Sequence, residues 1–345
     1  MRKIKILLGA YVDSVNAQNI NCYNIAKNLD KTQFEVHTLY HRQKVFDSNS
    51  VIEHKISDNR FFKNIEKFLL LMFSAYDIIY LPRCEKVDLK FASMFKRKKC
   101  IISSFEIESL FHNKELCTFF QDTFDSFAIS KELQFSGQKL FKRPVSLLYL
   151  GCDHLFTADQ IQPKQKLKRI IYVGSVIERK RPLLFANLAE KFPQIQFIMV
   201  GDGNQLEKVK EYIKKHRIAN LETKGRLDNK EVYEELKHSD LLLMTSESEG
   251  LPKVILEAAS MGVPSIYFNK LYHVDYIKNG YNGFGVKDMN EMITTIQKLI
   301  NHPELLADMS IQSYKESQKY DWKILIHDYE KYFTKVFLDY SHIRR

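Results

Sequence analysis

Short apolar runs alternate with stretches of helical period along this chain. In the first half the runs fall at 5–8, 35–39, 78–81, 100–103, 126–129 and 146–150, separated by amphipathic stretches such as 19–29 and 59–75. In the second half they fall at 169–173, 196–200, 221–224, 241–244 and 264–267, with helical patterns over 182–191, 204–216, 230–238 and 253–261 between them. Strand–helix alternation of this kind specifies a parallel sheet covered on both faces. It occurs twice, so the pattern predicts two doubly wound α/β domains. Residues 152–169 are polar, contain Pro163 and lack a period, which marks the boundary. Beyond Asp308 the chain is strongly helical. Trp322, Ile324, Leu325 and Tyr329 recur there at helical spacing, so this tail is expected to pack on a body.

A length of 345 residues agrees with two domains, and ordinary hydrophobic and charged fractions exclude a disordered chain or a small stapled scaffold. Charge adds more. The net charge is +10, and residues 1–150 hold 23 Lys and Arg against 16 Asp and Glu, so the excess lies mainly in the first half. The five cysteines are odd in number and none has C-x-x-C spacing, which argues against a disulfide framework or a zinc site and for free thiols in a reducing cytoplasm. The first apolar run is about six residues, below the roughly 7–15 of a signal-peptide core, and is expected to be a buried strand. No segment approaches the roughly 20 apolar residues of a spanning helix.

The most informative stretch is Thr245–Pro264, TSESEGLPKVILEAASMGVP. An apolar strand ends in a polar loop, Gly250 permits a tight turn, and Pro252 suits the first position of a helix running to Met261 and stopped by Gly262. A helix N-terminus at the carboxyl end of a parallel strand is an anion site. Glu257 sits in that helix among apolar and small neighbours, where an unpaired carboxylate is costly; a ribose diol would supply two hydroxyl donors. Glu249 lies in the loop, in reach of a bound sugar.

The string from Glu249 through Gly250, Leu251, Pro252 and Glu257 to Gly262 and Pro264 resembles the E-x7-E signature of retaining glycosyltransferases of the GT-B fold, specifically family 4. Tyr172–Lys180, YVGSVIERK, is similar to that family's strand–GR–x4–K loop. Val200-Gly-Asp-Gly203, the strand end at Ala128–Ser130, Gly151-Cys-Asp-x2-Phe156 and the helix with Trp322 fit in order and spacing. The resemblance covers essentially the whole chain. It implies two Rossmann-like domains facing a central cleft: 1–155 for the acceptor, 156–318 for a nucleotide sugar, and a helical tail, 319–345, returning to the first domain.

It also implies roles. Glu257 would hold the ribose hydroxyls and Glu249 the donor sugar. Gly250 and Leu251, next to Pro252, would give backbone N–H groups to sugar or phosphate, with Gly174 and Ser175 in the facing loop. Lys180 would neutralise the departing diphosphate without a metal. Arg226 and Leu227 resemble the base-contacting loop. Asn16 and Ala17, in the loop after the first strand, and Phe105 and Glu106, after the strand at 100–103, would stand on the acceptor side.

Three departures stand out. Ser175 replaces the family's usual Arg, so Arg179 or Arg181 is a candidate substitute. The first loop has no glycine after Gly9. Phe105 occupies the place where many members carry His. VGDGNQL lacks a third glycine, and marks a tight turn rather than a dinucleotide fingerprint.

The expected function is transfer of a sugar from a UDP- or GDP-linked donor to a glycan or lipid-linked acceptor in bacterial surface polysaccharide synthesis, by a cytoplasmic enzyme with no cofactor. Alternatives are another GT-B activity, an epimerase or phosphorylase, or a non-catalytic partner with a decayed donor site. No motif supports nucleic-acid binding. The helix at 59–73, with Arg60, Lys63 and Lys67, is expected to pack on its own sheet with its lysines in water. The basic first half also suits an anionic membrane surface.

Overall fold

The computed structural model describes residues 2–14, 16–46, 50–82, 84–96, 98–106, 111–154, 157–249, 251–269 and 274–343. Its contacts divide the chain into two units, Met1–Leu150 with Trp322–Arg345, and Gly151–Asp321.

In the first unit the elements run β1 (Ile4–Tyr11), α1 (Ala17–Asn28), β2 (Phe34–Tyr40), β3 (Ile52–Lys55), α2 (Arg60–Phe73), β4 (Ile78–Tyr80), α3 (Lys86–Phe95), β5 (Ile101–Phe105), α4 (Lys114–Asp122), β6 (Asp125–Ala128), α5 (Lys131–Phe141) and β7 (Ser146–Leu147). The strands pair in parallel in the order β3-β2-β1-β4-β5-β6-β7. The chain winds outward from β1 on one side, then returns to β4 on the other, so the topology reverses between β1 and β4. Strand β3, IEHK, has no apolar run; it is a half-exposed edge strand, and the pattern did not predict it.

The second unit runs β8 (Arg169–Val173), α6 (Pro182–Lys191), β9 (Gln196–Val200), α7 (Leu206–His216), β10 (Leu221–Gly225), α8 (Asn229–Lys237), β11 (Leu241–Met244), α9 (Lys253–Ala259), β12 (Ser265–Phe268), β13 (Gly283–Val286), α10 (Met289–Asn301) and α11 (Pro303–Ser317). Its order is β10-β9-β8-β11-β12-β13, parallel throughout, and the reversal lies between β8 and β11. Strand β13, GFGV, also escaped the pattern. A side chain at Gly283 would stand 2.7 Å from the Ser265 carbonyl, so close pairing rather than hydrophobicity selects its sequence.

The tail forms α12 (Trp322–Ile343), which belongs to the first unit and packs on α1. Trp322, Tyr329 and Phe333 are buried, while Ile324 faces water. Tyr329 Oη donates to the Tyr149 carbonyl at 3.2 Å, and the Glu330 carboxylate accepts from Asp30 N at 2.8 Å. The fold is therefore two Rossmann-like sheets, with the last helix serving the first.

Helix α2 departs from expectation. Lys67 is not in water: its ammonium is fully buried, 2.7 Å from Asp88 and 3.0 Å from Glu85, and Lys63 reaches Glu85 at 3.1 Å. Both lysines lie over the Tyr11 ring. The paired charges face inward and Phe61, Phe62 and Phe73 outward, while Phe68 packs on Phe91 and Phe95.

Candidate functional site

In the second unit the loop after β8 and the loop after β11 meet at the reversal point of the sheet, where doubly wound folds bind ligands. The β8 loop passes Gly174, Ser175 and a short 3₁₀ turn, Glu178–Lys180, before α6. It is fastened to the β9 loop: Gly174 N donates to Val200 O at 3.0 Å, Val176 N to Asp202 O at 2.9 Å and Gln205 N to Val176 O at 2.9 Å. A Cβ at Gly201 would lie 1.8 Å from the Gly174 carbonyl. The glycines of VGDG are therefore required for close backbone approach, as the tight-turn reading predicts.

Across β8 and β11 the side chains interlock. Lys180 Nζ is ion-paired with the Glu249 carboxylate, and both side chains are largely buried. Arg179 donates to the Ser248 carbonyl and stands 3.6 Å from the other Glu249 oxygen. Arg181 donates to the Thr245 carbonyl at 2.7 Å and the Ser246 carbonyl at 3.1 Å, with its guanidinium 4.7 Å over the Phe268 ring. Thr245 Oγ1 donates to Lys180 O at 2.8 Å, and Glu247 N to Arg179 O at 2.8 Å. Arg181 holds a left-handed backbone, φ 47°, which this clamp fixes at the start of α6. Two cations and one carboxylate thus converge on a loop pair whose backbone is stitched in place.

Glu257 lies on α9, half-buried. Burial pushes its carboxyl above the usual carboxylate range; Lys253 opposes that and Asp153 adds to it. Among the described residues no hydrogen bond reaches this carboxylate. Sequence reasoning reaches Asp153 only as part of the boundary segment and misses Tyr233, whose hydroxyl is pushed up by burial first and by the Glu257 charge second. Leu251 and Pro252 are buried at the head of α9. Pro252 is the residue before the helix rather than its first, and α9 ends at Ala259. With seven residues its dipole is small, so the helix-terminus argument for an anion loses most of its weight. Gly250 lies outside the described residues.

Arg226 and Leu227 follow β10, the edge strand, at the same carboxyl end of the sheet; Arg226 is exposed. No hydrogen bond or ion pair among the described residues joins them to the Lys180–Glu249 pair. Ser175 offers its carbonyl to Tyr172 Oη at 2.8 Å and puts no cation here.

The first unit contrasts with this. Asn16 caps α1, its Oδ1 accepting from Asn19 N at 2.9 Å; Ala17 begins the helix, its side chain outside the described residues. Asn19, which sequence reasoning missed, accepts from Tyr11 N at 3.2 Å and donates to Ser14 O at 3.0 Å, so a buried amide does the ordering that glycines would do in a Gly-rich loop. Phe105 is a correction: its ring is fully buried against Phe111, Phe120 and Phe141 and meets Gly137, so it faces the core and offers nothing to a ligand. Glu106 is buried at the end of β5. Burial pushes its carboxyl up to about 7, with hydrogen bonds from Ser104 and Gln18 pulling down; Ser104 in turn meets Tyr80 Oη at 2.8 Å.

Among the described residues no group of three His, Cys, Asp or Glu side chains is placed to hold a metal ion, and no helix is long and apolar enough to cross a membrane.

Residues 156–316 match the family described as glycosyl transferases group 1. An uncharacterized glycosyltransferase of Haemophilus influenzae is 30% identical over 181 residues, 49% of this chain and 51% of that protein. The UDP-Gal:alpha-D-GlcNAc-diphosphoundecaprenol alpha-1,3-galactosyltransferase of Escherichia coli is 31% identical over 139 residues, 37% of this chain and 34% of that protein. The chain thus matches about half of the first relative and a third of the second. HepE of Anabaena, solved in complex with UDP, superposes with a TM-score of 0.77 at 17% identity, over 97% of this chain and 100% of that one.

Proposed function

With residues 156–316 belonging to the glycosyl transferases of group 1 and the chain folded as GT-B, we propose that it is a retaining glycosyltransferase. It would move a sugar from a UDP-linked donor to a glycan or lipid-linked acceptor in bacterial surface polysaccharide synthesis, at the inner face of an anionic membrane. The observation that carries this reading is the Lys180–Glu249 pair at the reversal point of the second sheet. HepE in complex with UDP and the E. coli relative's UDP-Gal donor and diphosphoundecaprenol acceptor support the choice of substrates.

In the unliganded chain Lys180 neutralises Glu249. On donor binding the ammonium turns to the diphosphate, and the freed carboxylate accepts hydroxyls of the sugar. Glu257 takes the ribose hydroxyls, and its strained ionisation is relieved by two donors. Gly250 and Leu251, next to Pro252, and Gly174 with Ser175, bring backbone N–H groups to phosphate and sugar, while Arg226 and Leu227 flank the base. Of the two arginines that stand near Ser175 in sequence, Arg181 is committed to the Thr245 and Ser246 carbonyls and to Phe268, whereas Arg179 is nearly half-exposed beside Glu249. Arg179 therefore supplies the second diphosphate cation. The acceptor hydroxyl oxygen bonds to the anomeric carbon on the face the diphosphate leaves. The bonding pair departs with the phosphate oxygen, which takes the hydroxyl proton. Lys180 and Arg179 stabilise the charge that gathers there, with no metal required.

A thermal-shift series with UDP, GDP and their sugars tests this. Ligand at about a hundred times its dissociation constant adds roughly 2.7 kcal/mol. A UDP-specific shift lost in Lys180→Ala is expected; no shift with any nucleotide overturns the reading.

A further inference from the structure

Helix α2 turns its apolar side to solvent. Phe61, Phe62, Ile65, Leu69 and Phe73 fall in one arc of the helix and are all exposed, Phe61 by 70% and Phe73 by 77%, while Lys67 on the opposite side is 0% exposed. A soluble helix normally does the reverse. The helix cannot roll to hide this face, because Lys67 would have to leave Asp88 and Glu85, and Lys63 would leave Glu85 and the Tyr11 ring. Its rotation is fixed from inside, and three phenylalanines are left on one exposed side. Contiguous apolar patches of this kind mark interaction surfaces.

The surroundings identify the partner. Lys86 and Lys90, one turn apart on α3, line a shallow groove with Ile65, Phe68 and Leu69. Both lysines are exposed, and neither forms an ion pair among the described residues. The carboxylate of Glu66, also exposed on α2, accepts from Ser57 N at 2.7 Å. An aromatic ridge flanked by unpaired lysines is the chemistry of a bilayer interface carrying anionic headgroups. A second copy of the chain fits worse, since a two-fold contact would set the patch on itself and bring Lys86 and Lys90 against their equivalents.

We propose that this face of α2, with Lys86 and Lys90 of α3, docks on an anionic lipid bilayer: the phenylalanines enter the acyl boundary and the lysines lie among the phosphates. The proposal rests on the reading above that the chain works at a membrane, and not on the donor site. Flotation of the full chain with phosphatidylcholine vesicles, with and without phosphatidylglycerol, tests it. Binding is expected only with the anionic lipid and is weakened by salt. Phe61→Ser with Phe73→Ser weakens it roughly tenfold per phenylalanine removed. Lys86→Glu with Lys90→Glu weakens it by roughly tenfold or more. Phe61→Trp is quenched by brominated acyl chains, while Trp322, fully buried, does not respond.

Unchanged flotation in the phenylalanine variant overturns the proposal. So does equal, salt-insensitive binding to neutral vesicles, or a dimer in light scattering that the phenylalanine variant abolishes. Absent flotation with an intact UDP shift overturns this proposal alone. Intact flotation with no nucleotide shift overturns the donor reading alone.

Discussion

The two sheets share one construction and differ in what stands at their carboxyl ends. In the second, charge meets charge at the reversal point: Lys180, Arg179 and Glu249 face one another over a stitched backbone. In the first, the corresponding loop is ordered by the amides of Asn16 and Asn19, and the nearby carboxylate, Glu106, is buried with hydrogen bonds from Ser104 and Gln18 on it. The most deeply buried ion pair described in that unit is placed elsewhere, holding α2 against α3. A doubly wound topology supplies a place for a ligand, and the side chains decide whether the place is charged. On the function proposed above, the charges of one unit are exchanged with a ligand, whereas the buried pair of the other holds two helices together.

Four measurements break or sharpen that contrast. The largest effect is expected in the first unit. Lys67→Ala leaves Asp88 buried without its cation and is expected to cost about 3–5 kcal/mol in urea unfolding, with the UDP dissociation constant unchanged. A small loss would mean that the pair is not structural.

Glu106 follows. Its folded-state carboxyl stands at about 7, above the ordinary carboxylate value, so the folded chain binds the proton more tightly than the unfolded one. Stability is therefore lost as pH rises from roughly 4.5 to 7, by up to about 3 kcal/mol. Glu106→Gln is expected to flatten that slope, and an unaltered slope would sink the assignment.

In the second unit the effects move to turnover. Lys180→Ala is expected to slow the proposed sugar transfer about a hundredfold or more and to lower the melting temperature less than Lys67→Ala does, because Arg179 still stands 3.6 Å from Glu249. Arg179→Ala should show a smaller loss of the same kind. Arg181→Ala should instead lower the melting temperature, because it removes a clamp. Equal behaviour of the two arginines would erase the distinction drawn between them.

Glu257 gives the smallest and most diagnostic effect. Burial raises its carboxyl, so at neutral pH its ionisation costs stability. Glu257→Gln is expected to raise the melting temperature of the unliganded chain by roughly 2–4 °C. The same change weakens UDP binding about tenfold, as one charged hydrogen-bond acceptor is lost. In the parent chain nucleotide affinity should fall as pH drops through that raised value. A variant that binds UDP as before would remove Glu257 from the ribose.

Much of this was legible in the sequence where burial imposes a pattern. Strands β8, β9 and β11 follow their apolar runs to the residue, since a strand covered on both faces must be apolar throughout. β3 and β13 were not legible, one being a polar edge and the other selected for close backbone pairing. Lys180, Glu249 and Glu257 stand out in the sequence because their spacing matches a known signature, and the structure brings the first two together. Phe105 was misplaced by the same route. Every residue of β5 is buried, so no alternation tells which side chains face the core, and the aromatic partners that claim Phe105 come from elements far away in sequence. The pattern of α2 showed that it has two faces but not which one is inside. A fully buried ammonium on Asp88 decided that, and pairing across 21 positions is invisible to periodicity.

The Gly201–Gly174 approach reaches beyond local packing. Because the loops after β8 and β9 interlock backbone to backbone, with Gly201 N also donating to Gly225 O at 2.8 Å, neither has an independent shape. If these loops select the donor as proposed, giving this chain another relative's preference would require transplanting 174–181 and 201–205 together. A graft of one without the other would inherit a collision in place of a specificity.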